Sequence, residues 1–352
     1  MKHRLFPVVF FILLVLSGCL SAPPSGGGPA AEEGPAVRQF FAMDTLMSVS
    51  VYGPQGEAAV QEAWEVLTGL DRLLSRTSPD SEISALNAHA GDGSWVPLSP
   101  ETAELLSFAR QTAEDLPGAF DCTIAPVMDA WGFGGEDRHV PDAAALSARL
   151  ALVDSGRLSL DLEAPAGRLE VPGMAVDLGA AAKGYAAGLA AQAVLEAGGE
   201  SALLDLGRNI TVLGEGPSGP SWRVAVKDPQ DMERHLGVLS MRDQTASTSG
   251  GYERYFEENG VRYHHIIDPK TGYPAESGLL SVTVVAENPA LADVLSTALF
   301  VAGRDEALSL WRSRTDFELV LCGADGVVTV TEGLEFDFRG EDNGYTCQPA
   351  RR

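Results

Sequence analysis

From residue 202 onward the chain is a succession of short, β-branched apolar runs parted by turn residues, and few folds accommodate that pattern. The runs are Ala202–Leu206, Trp222–Lys227, Gly237–Met241, Val261–Ile267, Leu280–Ala286, Glu318–Cys322 and Val327–Val330. Hairpin-like turns join them, and a helical pattern over Pro289–Val301, with a second over Arg304–Ser313, interrupts the series. The first half is mostly helical. Glu57–Leu74 carries apolar residues at helical spacing (Val60, Trp64, Leu67, Leu70, Leu74). Ser99–Asp115 opens on Ser99 as N-cap and Pro100 in the first turn, but Thr102 stands where a capping box needs Glu or Gln. Val140–Val153 gives a short helix, Gly179–Ala197 an alanine-rich one closed by Gly198-Gly199, and Phe41–Tyr52 a strand. Helices in blocks and strands in blocks predict an α+β fold with a largely antiparallel sheet. The βαβ rhythm and the G-x-G-x-x-G of a dinucleotide fold are absent.

The chain opens with Lys2 and Arg4, an apolar run Leu5–Leu16, then Ser17-Gly18-Cys19. This is the layout of a secretory signal, too short to span a bilayer as a mature helix. Leu16-Ser17-Gly18-Cys19 resembles a bacterial lipobox, which would make Cys19 a lipidated first residue; an ordinary signal peptide with a chance cysteine is the alternative. The expected layout is a signal peptide over 1–18, a Pro/Gly/Ser/Ala tether over 19–36 and one domain over 37–345. The expected location is the bacterial cell envelope, lipid-anchored and facing the periplasm or exterior. Without Lys2 and Arg4 the net charge goes from −24 to −26. Nucleic acid and anionic lipid are thereby argued against as main partners, and an anionic substrate would need a local cation. Cys122, Cys322 and Cys347 form no CxxC or Cys/His cluster, so no structural zinc is expected. A Cys322–Cys347 disulfide stays open, because sequence does not set its geometry.

Four stretches concentrate chemistry-bearing residues. "VDLGAAAKGYAAG" (Val176–Gly188) ends a strand at Asp177 and starts a helix with Lys183 about one turn in, where free N–H groups and a cation suit an anion; taken alone, a capped surface helix is the plainer reading. "STSGGYERYF" (Ser247–Phe256) could turn amides and hydroxyls inward as an anion nest, or be a tight turn. "HHIIDPKTGYP" (His264–Pro274) places two adjacent histidines on opposite strand faces, so both cannot enter one pocket. In "PALADVLSTALFVAG" (Pro289–Gly303), Asp293 and Thr297 share a helix face as hard oxygen donors suited to Mg²⁺, or serve only the helix itself.

In this order, the stretches resemble the motifs of the ApbE family of FAD:protein FMN transferases. "VDLGAAAKGYAAG" resembles its Asp-Leu-Gly…Lys-Gly motif, "STSGGYERYF" its Thr-Ser-Gly-x-Tyr motif, "YHHIIDPKTGYP" its His-Ile-x-Asp-Pro-x-Thr-Gly motif and "ADVLSTALFVAG" its Ala-Asp-x-x-x-Thr-Ala motif. Weaker matches lie in "FAMDTLMSV", "DSEISALN" and "GAFDCTIAPVMDAWGF". The resemblance implies an α+β fold with two lobes around a cleft, FAD as substrate and Mg²⁺ as cofactor. It implies an acceptor flavoprotein, such as a subunit of a membrane electron-transfer complex. Met43, Thr77, Ala119, Phe120, Asp121, Asp177, Lys183 and Ile266 would line the FAD site. Asp293 and Thr297 would bind the metal, helped by backbone oxygens near Ala180 and Ala290, and Asp293 and His265 would be the catalytic residues. Departures from the pattern are Thr77, where many members carry an aromatic covering the flavin ring, Arg208 in "LDLGRNI" for the second glycine of Gly-Gly-Asn, and Cys122 for proline.

Overall fold

The computed structural model describes residues 34–135, 137–341 and 344–352. The signal segment and Cys19 lie outside them. The chain starts with a hairpin rather than the single strand expected over Phe41–Tyr52: β1 (Ala36–Ala42) turns through Met43-Asp44 into β2 (Thr45–Tyr52). Met43 and Asp44 both have positive φ (49° and 59°), the two-residue turn whose twist matches paired strands. Next come α1 (Gly56–Leu74), α2 (Glu82–Ala88), β3 (Val96–Pro97), α3 (Pro100–Asp115), α4 (Ala125–Ala130) and α5 (Ala143–Leu150). β4 (Leu158–Asp161), β5 (Ala166–Leu169) and α6 (Ala182–Glu196) complete this half. The strand-rich half holds β6 (Ser201–Asp205), β7 (Asn209–Leu213), β8 (Trp222–Lys227), β9 (His235–Met241), β10 (Gln244–Gly250), β11 (Tyr255–Glu258) and β12 (Val261–His264). It closes with β13 (Leu279–Ala286), α7 (Pro289–Ala302), α8 (Arg304–Ser313), β14 (Glu318–Gly323), β15 (Val327–Thr331), β16 (Phe338–Gly340) and β17 (Thr346–Ala350).

A nine-stranded sheet runs β1-β2-β6-β7-β10-β13-β14-β15-β17, antiparallel except for the parallel β15–β17 pair. The fold is α+β, as the strand pattern predicts. Period-two alternation gives the sheet two buried faces. Val282, Val284, Leu319 and Leu321 face the core shared with α1, α6 and α7, whereas Val285, Val320 and Cys322 face a second core. The small sheet β16-β9-β8 covers that second face. A third cluster, Val127, Trp131, Phe133, Leu146 and Ile267, packs α4 and α5 near the β11–β12 hairpin.

Pro35–Arg352 forms one compact unit, so any division into two lobes lies within a single packed body. It runs past residue 345 because β17 adds to the sheet edge. Cys322 and Cys347 are free thiols, on β14 and β17 with β15 between them. Two strand spacings put their Cα atoms roughly 10 Å apart, beyond the ~7 Å reach of a disulfide.

Candidate functional site

At one end of the sheet, two tight turns stand side by side. One is Met43-Asp44; the other is Gly207-Arg208 between β6 and β7, again with both φ positive (68° and 72°). A Cβ on Gly207 would collide with Thr45, so glycine is what lets the hairpins touch. Arginine pays for the second left-handed position with strain. Beside these turns a cleft of about 470 Å³ opens, bounded also by the ends of α1 and β10, the start of α6 and one face of α7.

Met43, Thr77, Ala119, Phe120, Asp121, Asp177, Ala180, Lys183, His265, Ile266, Asp293 and Thr297 all line this cleft. Ala290 does not: it is buried in the helical core, one turn before Asp293. Asp121 and Asp177 spend their carboxylates inside the protein. Asp121 accepts from the Thr123 N–H and hydroxyl and from the Ser155 N–H (2.8, 2.6 and 3.0 Å). Asp177 accepts from the Gly179 N–H (2.8 Å) and pairs with Arg76 (2.8 Å), which also holds Asp129. Thr77 is exposed at the rim, and the aromatic side chains on the wall are Phe120 and Phe133.

The helix carrying Lys183 begins at Ala182, so Lys183 is its second residue rather than one turn in. Its amide neighbour is not free either: the Gly184 N–H donates to Asp293 Oδ2 (2.8 Å). A Cβ on Gly184 would collide with the Pro289 carbonyl, so this glycine lets α6 and α7 close together and brings Asp293 to the start of α6. Asp293 is only 4 % exposed; its Oδ1 accepts from Ser247 Oγ (3.1 Å) and lies 3.9 Å from Lys183 Nζ, which also donates to the Gly179 carbonyl (3.1 Å). Thr297 Oγ1 is 3.0 Å from Ser249 Oγ. A carboxylate and a threonine hydroxyl one helical turn apart put oxygen donors beside the cleft. That set fits a hard divalent cation such as Mg²⁺, which takes one or two carboxylates and completes its shell with water and phosphate. Among the described residues no cluster of three His, Cys, Asp or Glu offers a different metal site.

In this stretch the turn comes at Gly251–Arg254, and Ser247–Gly250 is strand rather than a nest. These residues are β10 itself, paired with β13 and, at Ser247, with Asn209 of β7, so their amides belong to the ladder. The run Val261–Ile267 likewise ends as a strand at His264. The two histidines still diverge. His264 donates from Nε2 to the Ala275 carbonyl (3.2 Å), accepts the Ile266 N–H and stands edge-on to Phe300. His265 faces the cleft, and its N–H and ring Nδ1 both donate to the Arg254 carbonyl (3.0 and 3.1 Å). Because a carbonyl only accepts, the ring proton is on Nδ1 and Nε2 keeps a lone pair. Burial, and then the Arg254 charge, push the His265 ring down to about 3, so it is neutral across the physiological range.

Sequence reasoning passed over Arg76, Asn209, Glu253 and Arg254, which also line the cleft. On this wall Arg208 Nη1 and the Asn209 side-chain amide are buried without a hydrogen-bond partner among the described residues. Arg208 pairs with Glu253 (3.2 Å) and lies over the Tyr252 ring. Burial raises the Glu253 carboxyl even so. The signal for Arg208 was its place in a Gly-Gly-Asn pattern; Arg76 and Glu253 carry no local signal.

The ApbE family model matches residues 43–321. An FAD:protein FMN transferase of Treponema pallidum is 34% identical over 348 residues, covering 93% of this chain and 94% of its own. One from Klebsiella pneumoniae is 33% identical over 290 residues, 82% of this chain and 90% of its own. A crystal structure of an ApbE protein from Thermotoga maritima superposes with a TM-score of 0.80 at 30% identity, covering 87% of this chain and 99% of the other. Motifs, fold and cleft agree, and the chain belongs to the ApbE family.

Proposed function

We propose that this chain transfers FMN from FAD to a threonine or serine hydroxyl of an acceptor flavoprotein, with Mg²⁺, and releases AMP. The curated relatives' name supplies flavin transfer to protein. The observation that carries the finer reading is the meeting of a metal-suited oxygen pair, Asp293 and Thr297, with Lys183 and a neutral His265 in one cleft. Asp293 and Thr297 would hold Mg²⁺, which when bound neutralises charge on the diphosphate and the departing AMP. Lys183 draws the phosphates to the start of α6. His265 Nε2 takes the acceptor's hydroxyl proton while that oxygen bonds to the FMN phosphorus. The bond from that phosphorus to the bridging oxygen breaks, and its electron pair leaves with AMP. The acceptor is proposed to be a subunit of a membrane electron-transfer complex, and the enzyme to be lipid-anchored at Cys19 in the cell envelope.

The test is intact mass of a threonine-bearing acceptor incubated with FAD and Mg²⁺, with AMP followed in parallel. Wild type should add one FMN phosphoester and release AMP. His265→Ala should bind FAD but transfer roughly 10²–10⁴-fold more slowly, the usual loss of a positioned base. His264→Ala should transfer nearly normally. Equal loss in both variants refutes His265 as the base. The small, exposed Thr77 leaves the rim open to water and favours one second reading, a Mg²⁺-dependent FAD pyrophosphatase. AMP release with an unmodified acceptor selects it, and unchanged FAD means a flavin carrier instead.

A further inference from the structure

The turn after β10 carries a cation that the fold does not use. Arg76 sits between Asp129 and Asp177, Lys183 is beside Asp293, and Arg208 is beside Glu253. Arg254 lines the same cleft and is exposed, and its guanidinium has no ion-pair or hydrogen-bond partner among the described residues. In a chain of net charge −24 an unpaired arginine on a cleft wall is a binding group for an anion. Its backbone is as informative as its side chain: the Arg254 carbonyl takes both the N–H and the ring Nδ1–H of His265. One residue therefore presents a free cation to the cleft and fixes the imidazole beside it.

We propose that Arg254 is a positioning residue whose guanidinium holds a phosphate oxygen of the FAD diphosphate, setting the distance between the phosphorus under attack and His265 Nε2. This rests on the reading that the cleft takes FAD. It has an electrostatic consequence. The titratable groups facing the His265 ring are Arg254, Lys183 and the neutral His264; the two cations, together with burial, hold the ring neutral. A bound diphosphate offsets the two cations, so Nε2 becomes more basic as substrate arrives.

The experiment compares wild type, Arg254→Met and Arg254→Lys. FAD affinity is read by flavin fluorescence with Mg²⁺ and no acceptor, and the His265 ring titration by NMR, with His265→Gln for assignment. Arg254→Met should weaken FAD binding about tenfold, the loss of one charge-assisted hydrogen bond, and raise the His265 midpoint in the free enzyme. Arg254→Lys should keep part of both. FAD affinity within twofold of wild type in Arg254→Met overturns the proposal, as does an unmoved His265 midpoint. A defect only in the KM for the acceptor protein overturns it too, by assigning Arg254 to protein docking. If wild type itself binds no FAD, the functional reading fails with it, which the wild-type titration alone reports.

Discussion

Asp293 does two jobs that a single substitution confounds. A four-residue spacing with Thr297 marks it as a helix-face ligand, yet it is buried, and its Oδ2 closes the first turn of another helix through the Gly184 N–H. Asp293→Ala strands that N–H and the Ser247 hydroxyl, which costs about 1–3 kcal/mol. Asp293→Asn keeps an acceptor for Gly184 but removes the charge that binds a cation. Asp293→Asn is therefore expected to melt near wild type and to lose Mg²⁺-dependent turnover, whereas Asp293→Ala loses turnover and stability together. Thermal melts with and without Mg²⁺, alongside turnover, check this; Mg²⁺-dependent activity within several-fold of wild type in Asp293→Asn removes Asp293 from the metal site.

Among the elements, α3 shows how a cap is finished from outside its own helix. Ser99 Oγ accepts the Thr102 N–H (3.3 Å), but the third position lacks the acid that would return a bond to the Ser99 N–H. Glu82, in the first turn of α2, supplies it instead: its carboxylate accepts from the Ser99 N–H (2.9 and 3.0 Å) and hydroxyl (2.9 Å). The capping box is split between two helices and ties them together. Glu82→Ala and Ser99→Ala should each cost about 1–2 kcal/mol. Because they share the bond, the double variant should lose less than the sum by at least about 0.5 kcal/mol. Urea unfolding of the four proteins measures this, and strict additivity would contradict the shared cap.

The whole molecule is too acidic to hold an anionic membrane by charge. Among the described residues no helix is long and apolar enough to cross a bilayer. The proposed membrane association therefore rests on acylation at Cys19, several chains of which give stable anchoring. The protein should pellet with membranes and resist washing at high salt, which screens charge but leaves acyl chains buried. Cys19→Ser should move it to the soluble fraction. Salt release of wild type, or continued pelleting of Cys19→Ser, would contradict the anchor.

Features whose cause is local could be read from the order of residues alone. Glu57–Leu74 lies within α1, Arg304–Ser313 is α8 and Trp222–Lys227 is β8, because amphipathic period and helix ends are written in adjacent residues. The motifs that meet in the cleft were legible for the same reason. The Asn259-Gly260 turn of the β11–β12 hairpin carries an equally plain signal. Other features needed distant parts of the chain. A Met43-Asp44 turn has no sequence mark, since its left-handed backbone is held by the pairing of β1 with β2 and by Asp71, which accepts the Met43 N–H. Polar β10 reads as a loop until β7 and β13 flank it. Asp293 is buried only because Gly184 admits α7 against α6. His265 owes its tautomer to a carbonyl eleven residues earlier. Secondary structure follows from neighbours along the chain; burial, tautomer and the partners of a charge follow from neighbours in space.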